Sequence, residues 1–180
     1  MKRFITHLLK GAGLASLLMA AANATPDLQI VGASFPNPVE PGGTLVIETT
    51  VANTGSELAV GTDSGDGYMI DFVLSSDDHV PPGFAPFAEN FGEDVLLRGG
   101  RISNTHNLAP HSDRLYAETG VLPADTPPGD YQLCLVIDPG DGVVESDESN
   151  NTLCQTLTVS ALEVPTAVER ISWGRLKAIR

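Results

Sequence analysis

The sequence predicts an all-β chain, an immunoglobulin-like antiparallel β-sandwich of about seven strands. It is preceded by an export helix and followed by a short helical or disordered tail. Three observations carry this. Gly (18) and Pro (13) are abundant while charged residues are only 18% of 180, the balance of a turn-rich chain. Several runs alternate apolar and polar residues with a period of two, and none before residue 165 shows a 3.6-residue period. The apolar share of 42% suffices for one core, and a mean hydropathy of +0.03 excludes wholesale disorder. A barrel of the same strands is the architectural alternative.

Asp27-Leu28-Gln29-Ile30-Val31 opens the first strand, which Pro36-Asn37-Pro38 ends. Pro41-Gly42-Gly43 turns into Thr44–Ala52, with Leu45, Ile47 and Val51 on one face, closed by Asn53-Thr54-Gly55. A polar loop over 56–67 leads to a strand at Tyr68–Leu74. Residues 83–112 show no clean period, so short edge strands near Asp94–Leu97 and a long irregular excursion are expected there. Leu115–Leu122 is the next strand. Pro127-Pro128-Gly129 turns into Tyr131–Ile137, whose Tyr131, Leu133, Leu135 and Ile137 share a face. After the acidic loop 138–151, Leu153–Val159 places Leu153, Leu157 and Val159 on one face.

The N-terminus reads as a secretory signal. Lys2, Arg3 and Lys10 form a basic region, Gly11–Ala22 is an uncharged Leu/Ala-rich run, and Ala22-Asn23-Ala24 is an A-x-A cleavage site. Cleavage between Ala24 and Thr25 is expected. The 12-residue apolar run is too short to span a bilayer, which needs about 20 residues, so no membrane span is expected. The expected organisation is therefore a signal peptide at 1–24, a sandwich at 25–164 and a tail at 165–180. The sandwich segment carries 3 basic and 22 acidic residues, a net of −19, whereas the tail is +3. Such a surface repels phosphate backbones and anionic lipid, so nucleic-acid partners are excluded and cations suit it.

Cys134 and Cys154 sit on the last two expected strands, on the face opposite their core residues. If they are directly opposite, paired positions sum to 288 and Ile137 faces Asn151. In an exported chain a cross-strand disulfide is the favoured reading, with both sulfurs facing outward.

Four motifs lie in order along the chain: Asp27-Leu28, Val51-Ala52-Asn53-Thr54-Gly55, Gly129-Asp130-Tyr131, and Glu145-Ser146-Asp147-Glu148-Ser149-Asn150-Asn151. Together they make residues 27–160 resemble the bacterial cell-adhesion-related, or CARDB, domain family. The resemblance implies a seven-stranded immunoglobulin-like sandwich, occurrence in secreted and surface bacterial proteins, and no enzyme activity. The long Phe- and Gly-rich stretch 79–112 departs from the family pattern.

The residues themselves offer several candidate sites. Asp138, Asp141, Glu145, Asp147 and Glu148 concentrate oxygen ligands on one loop, as calcium requires, though without EF-hand spacing; a solvated acidic turn is the competing reading. Asp63, Asp66, Asp71, Asp77 and Asp78 form a second acidic group with the same ambiguity. His106 and His111 with Asp113 are a weak zinc candidate. Phe84, Phe87 and Phe91, among Pro and Gly, form either a satellite core under the loop or an apolar binding patch. In the tail, Val168, Leu176 and Ile179 lie near one helical face with Trp173 at its margin, a candidate partner-docking element. Nucleophile elbow, zinc-protease, phosphate-loop and dinucleotide motifs do not occur. The expectation is a secreted or cell-surface, non-enzymatic binding or adhesion module that presents loops to an extracellular protein or glycan. The alternative is a structural spacer whose tail docks or sorts it.

Overall fold

The computed structural model describes residues 24–161 and contains seven strands in that span. They are β1 (Leu28–Ser34), β2 (Thr44–Asn53), β3 (Ile70–Ser75), β4 (Val95–Ile102), β5 (Ser112–Val121), β6 (Gly129–Ile137) and β7 (Thr152–Val159). Every expected strand is present, with ends shifted by a few residues. All strand pairings are antiparallel, in the order β1-β2-β5-β4-β3-β6-β7. β1, β2 and β5 form one layer and β3, β6 and β7 the other. Leu45, Ile47 and Val51 of β2 meet Phe72 of β3 and Leu133, Leu135 and Ile137 of β6 in a single core. This is the immunoglobulin-like sandwich.

β4 is the main departure from expectation. It is not a short edge strand but runs eight residues and joins the two layers. Its start pairs with Val73 and Leu74 of β3, and Arg98 pairs with Val121 of β5. The strand turns this corner at Gly99, where φ is +78° and a Cβ would lie 2.6 Å from the Thr119 carbonyl oxygen. Only glycine meets both demands without strain.

The opposite edge is also closed. Val39 donates to the Thr158 carbonyl (3.0 Å) and its own carbonyl accepts from Ser160 (2.8 Å). The Asn37 amide imitates a strand residue: Nδ2 donates to the Thr156 carbonyl (3.1 Å), and Oδ1 accepts from Thr158 N (2.9 Å). The free edge of β7 is thus blunted against pairing with another chain.

The β6–β7 register has Cys134 opposite Cys154 and Leu135 opposite Leu153, and Ile137 N donates to the Asn151 carbonyl (2.8 Å). The disulfide joins Cys134 and Cys154. Its sulfurs lie on the face away from the main core, as alternation requires, but they are partly or wholly covered. Cys134 is fully buried, in a second apolar cluster with Val73 and Val136, against which Val80, Ala85 and Cys154 pack. The irregular excursion folds back over this face. For the same reason every residue of β3 is buried on both faces, and its period-two signal is lost.

Candidate functional site

Three of the four family-pattern motifs converge on one place, the entry of the chain into β1, while Gly129-Asp130-Tyr131 lies against the far end of β7. Asn53 is buried at the end of β2 and uses its whole amide. Its Nδ2 donates to the Glu57 (2.7 Å) and Leu108 (3.0 Å) carbonyls, and its Oδ1 accepts from Asp27 N and Gly55 N, both 3.1 Å. Thr54 Oγ1 donates to Asp27 Oδ2 (2.7 Å), and Asn150 Nδ2 donates to Asp27 Oδ1 (2.9 Å). Ser146 N donates to the Pro26 carbonyl (2.9 Å) and Ser56 N to that of Thr25 (3.1 Å). At Gly55 a Cβ would sit 2.4 Å from the Thr25 carbonyl oxygen, so the entering strand passes directly over this glycine. Thr25 is thus half-buried in the clasp, while Ala24 is exposed.

Glu145 is the buried member of this clasp. Its carboxylate accepts from Leu28 N and from Asn151 Nδ2 (3.0 Å). Among the described residues no cation pairs with it, and Glu148 and Asp138 add like charge. Burial, opposed by these two hydrogen bonds, pushes its carboxyl up to about 7. Asn151 Oδ1 is buried beside it without a partner. A protonated Glu145 supplies the missing donor if the Asn151 amide turns over. A carboxyl raised in the folded state favours folding when protonated. That contribution is complete below about pH 4.5 and is lost as pH rises through about 7. The Glu145 contribution to stability is therefore expected to fall between about pH 4.5 and 7, and Glu145→Gln is expected to flatten that slope. Denaturant titrations across this range check it; an unchanged slope in the variant would exclude Glu145 as its source.

Of the loop carboxylates named as calcium candidates, Asp138, Asp147 and Glu148 accept hydrogen bonds from backbone amides. Asp138 accepts from Gly142 N (3.1 Å) and Val143 N (2.8 Å), and burial raises its carboxyl. Asp147 accepts from Ser149 N and Oγ (2.9 and 2.6 Å), which hold its carboxyl low. Glu148 accepts from Glu145 N (2.8 Å), and Asp141 is exposed in the left-handed region at φ +51°. Among the described residues, no three His, Cys, Asp or Glu side chains are grouped as metal ligands. His106 Nδ1 lies 2.7 Å from Asp63 Oδ2, which lowers the Asp63 carboxyl.

The excursion forms an arm packed over β3, β4 and β6. Asp71, fully buried on the outer side of β3, receives two 2.6 Å bonds from Arg101 of β4, Nε to Oδ1 and Nη2 to Oδ2. The Arg101 guanidinium lies 4.6 Å from the centre of the Phe84 ring. The other edge of that ring closes on Gly140, where a Cβ would be only 2.6 Å away. Leu96 N donates to the Pro86 carbonyl (3.0 Å), and the Asp78 carbonyl lies 3.6 Å from Cys154 Sγ. Phe84 and Phe87 remain 53% and 54% exposed on this fixed arm. Phe91 does not join them. It packs on the main core, edge-to-face with Tyr131 at 5.3 Å, and its N–H donates to Asp125 (2.7 Å).

Sequence reasoning missed the Asp71–Arg101 pair, placing Asp71 in a diffuse acidic group. The signal was present: an acid inside Ile70-Asp71-Phe72-Val73-Leu74 needs a cation, and only three basic residues lie between 25 and 164. The signal segment before Ala24 and the tail with Trp173 lie outside the described residues. Among those described, no helix is long and apolar enough to cross a membrane.

The family model for CARDB matches residues 25–155. No curated protein matches the chain. Among solved structures, it is similar to the CARDB domain of a Pyrococcus furiosus protein in solution. That likeness has 17% identity and a TM-score of 0.50, over 76% of this chain and 96% of that one. A crystal structure of the same Pyrococcus domain, in complex with di-metal ions, is 17% identical at TM-score 0.48, over 75% and 89% of the two chains. A domain described as part of a cell surface protein from Methanosarcina acetivorans is 19% identical at TM-score 0.48, over 79% and 97%. At these identities the likeness is one of fold.

Proposed function

This chain belongs to the CARDB family, and from that premise we propose that it is an exported, non-enzymatic binding module of the cell surface. The arm over β3 and β4 is its contact surface for an extracellular protein or glycan. The observation that carries this reading is the pair of half-exposed rings, Phe84 and Phe87, held in place by the sheet beneath. Aromatic groups that are already immobile lose little conformational entropy on binding, so their area converts efficiently into affinity. The arm is also where this chain departs from the family pattern.

Phe84→Ala with Phe87→Ala is expected to abolish binding of the purified chain to a glycan array and to immobilised surface proteins, with the unfolding midpoint little changed. Retained binding by the folded double variant would remove the arm from the function.

The second reading, a structural spacer, is favoured by the chain-entry clasp. The family-pattern residues 27–28, 53–55 and 145–151 grip the incoming strand, which suits a stiff junction. In that case deleting 165–180 abolishes surface retention while the arm variants leave it intact.

A further inference from the structure

We propose that the basic C-terminal segment of this chain, residues 165–180, docks in the groove between the arm and the β6–β7 loop, with Lys177 at its acidic rim. The groove has a volume of about 530 Å³. Pro81, Pro82 and Pro139 give it apolar walls, and Asp78, Asp141 and Glu148 stand around it. The two ion pairs among the described residues, Arg101–Asp71 and His106–Asp63, use none of these three carboxylates. Such a groove suits an alkyl stem that ends in a cation.

Charge selects the occupant. The tail has Arg170, Arg175, Lys177 and Arg180 against the single acid Glu169, while residues 25–164 carry a net of −19. Its apolar residues Val168, Trp173, Leu176 and Ile179 alternate with these cations and match the proline walls.

Reach allows it. The groove lies at the Thr152 end of β7, and the described chain ends just past Val159 at Ala161. The eight residues of β7 span about 24 Å. The 16 residues from Ala161 to Lys177 cover about 24 Å even as a helix, and about twice that when extended. The tail can therefore return along β7 to the groove. Being tethered, it acts at an effective concentration of roughly millimolar, above that of most free competitors.

Zero-length carbodiimide cross-linking of the full chain tests this, because it joins a carboxylate to an amine only when they touch. Lys177 is the only lysine after Lys10, so its products are unambiguous on peptide mapping. The expected result is an amide from Lys177 to Asp78, Asp141 or Glu148. Its yield should be independent of protein concentration and fall several-fold at about 0.5 M salt. Asp78→Asn with Asp141→Asn should lower that yield several-fold without moving the unfolding midpoint. Three outcomes overturn the proposal. Lys177 could couple mainly to carboxylates outside the groove. It could couple only between light and heavy isotope-labelled chains, which would assign the groove to a second copy. Or it could form no cross-link while the same rim carboxylates react with added glycinamide.

Discussion

Replacing Arg101 with methionine is expected to destabilise the domain by about 3–5 kcal/mol, the usual cost of leaving one member of a buried ion pair without its partner. Asp71 has no exposure, and both its oxygens are met by the guanidinium at 2.6 Å. Methionine keeps the apolar stem over the sheet but gives Asp71 no donor. A domain of this size should lose about 10 °C or more in Tm. The double variant Asp71→Leu with Arg101→Met should recover most of that loss, since removing both charges also removes the desolvation cost. The single variant should also loosen the arm, because Phe84 loses the cation beneath its ring, and limited proteolysis within 78–91 should accelerate. A loss under about 1 kcal/mol in the single variant would mean that water reaches Asp71 and that the pair is not what fixes the arm.

Removing the disulfide by Cys134→Ala with Cys154→Ala is expected to cost about 3 kcal/mol, the loop-closure entropy of a 20-residue separation. The bond lies beneath the arm, with Cys134 fully buried and the Asp78 carbonyl against Cys154 Sγ. Reduction of the native chain by dithiothreitol should therefore be much slower than reduction of the unfolded chain, and should speed up in Arg101→Met. Thiol alkylation over time reads both rates. Equal rates for native and unfolded protein would show that the arm does not cover the bond. Because both perturbations act through one arm, their costs should not add.

Much of the fold was legible in local pattern. The alternation of Leu45, Ile47 and Val51, and of Leu133, Leu135 and Ile137, assigns the core faces of β2 and β6 without tertiary information. The same alternation puts Cys134 and Cys154 on one face, and the register expected if they lie directly opposite, with paired positions summing to 288, is the one observed. β4 was harder to read. Its central Arg98-Gly99-Gly100-Arg101 lacks alternation because the register with β3 shifts there, between Val73 and Asp71, while Arg98 also pairs with Val121 of β5. The candidate site was legible in part. Glu145 and Asn151 stood out as motif residues, but their oxygens and amides looked equally suited to a cation and to backbone.

The sequence by itself determined the strand count, the core-facing residues and the shared face of the two cysteines, because a period of two and a turn residue act over a few neighbouring positions. Tertiary structure alone decided which polar groups are buried. Asp71 and Glu145 read as acids among many; one becomes an ion pair under the arm, the other a carboxyl raised at the chain entry. The Cys134 sulfur that alternation turned outward is covered by Val80 and Ala85, distant from it in sequence. Burial and ionisation depend on what the rest of the chain lays over a residue, and no local pattern carries that information.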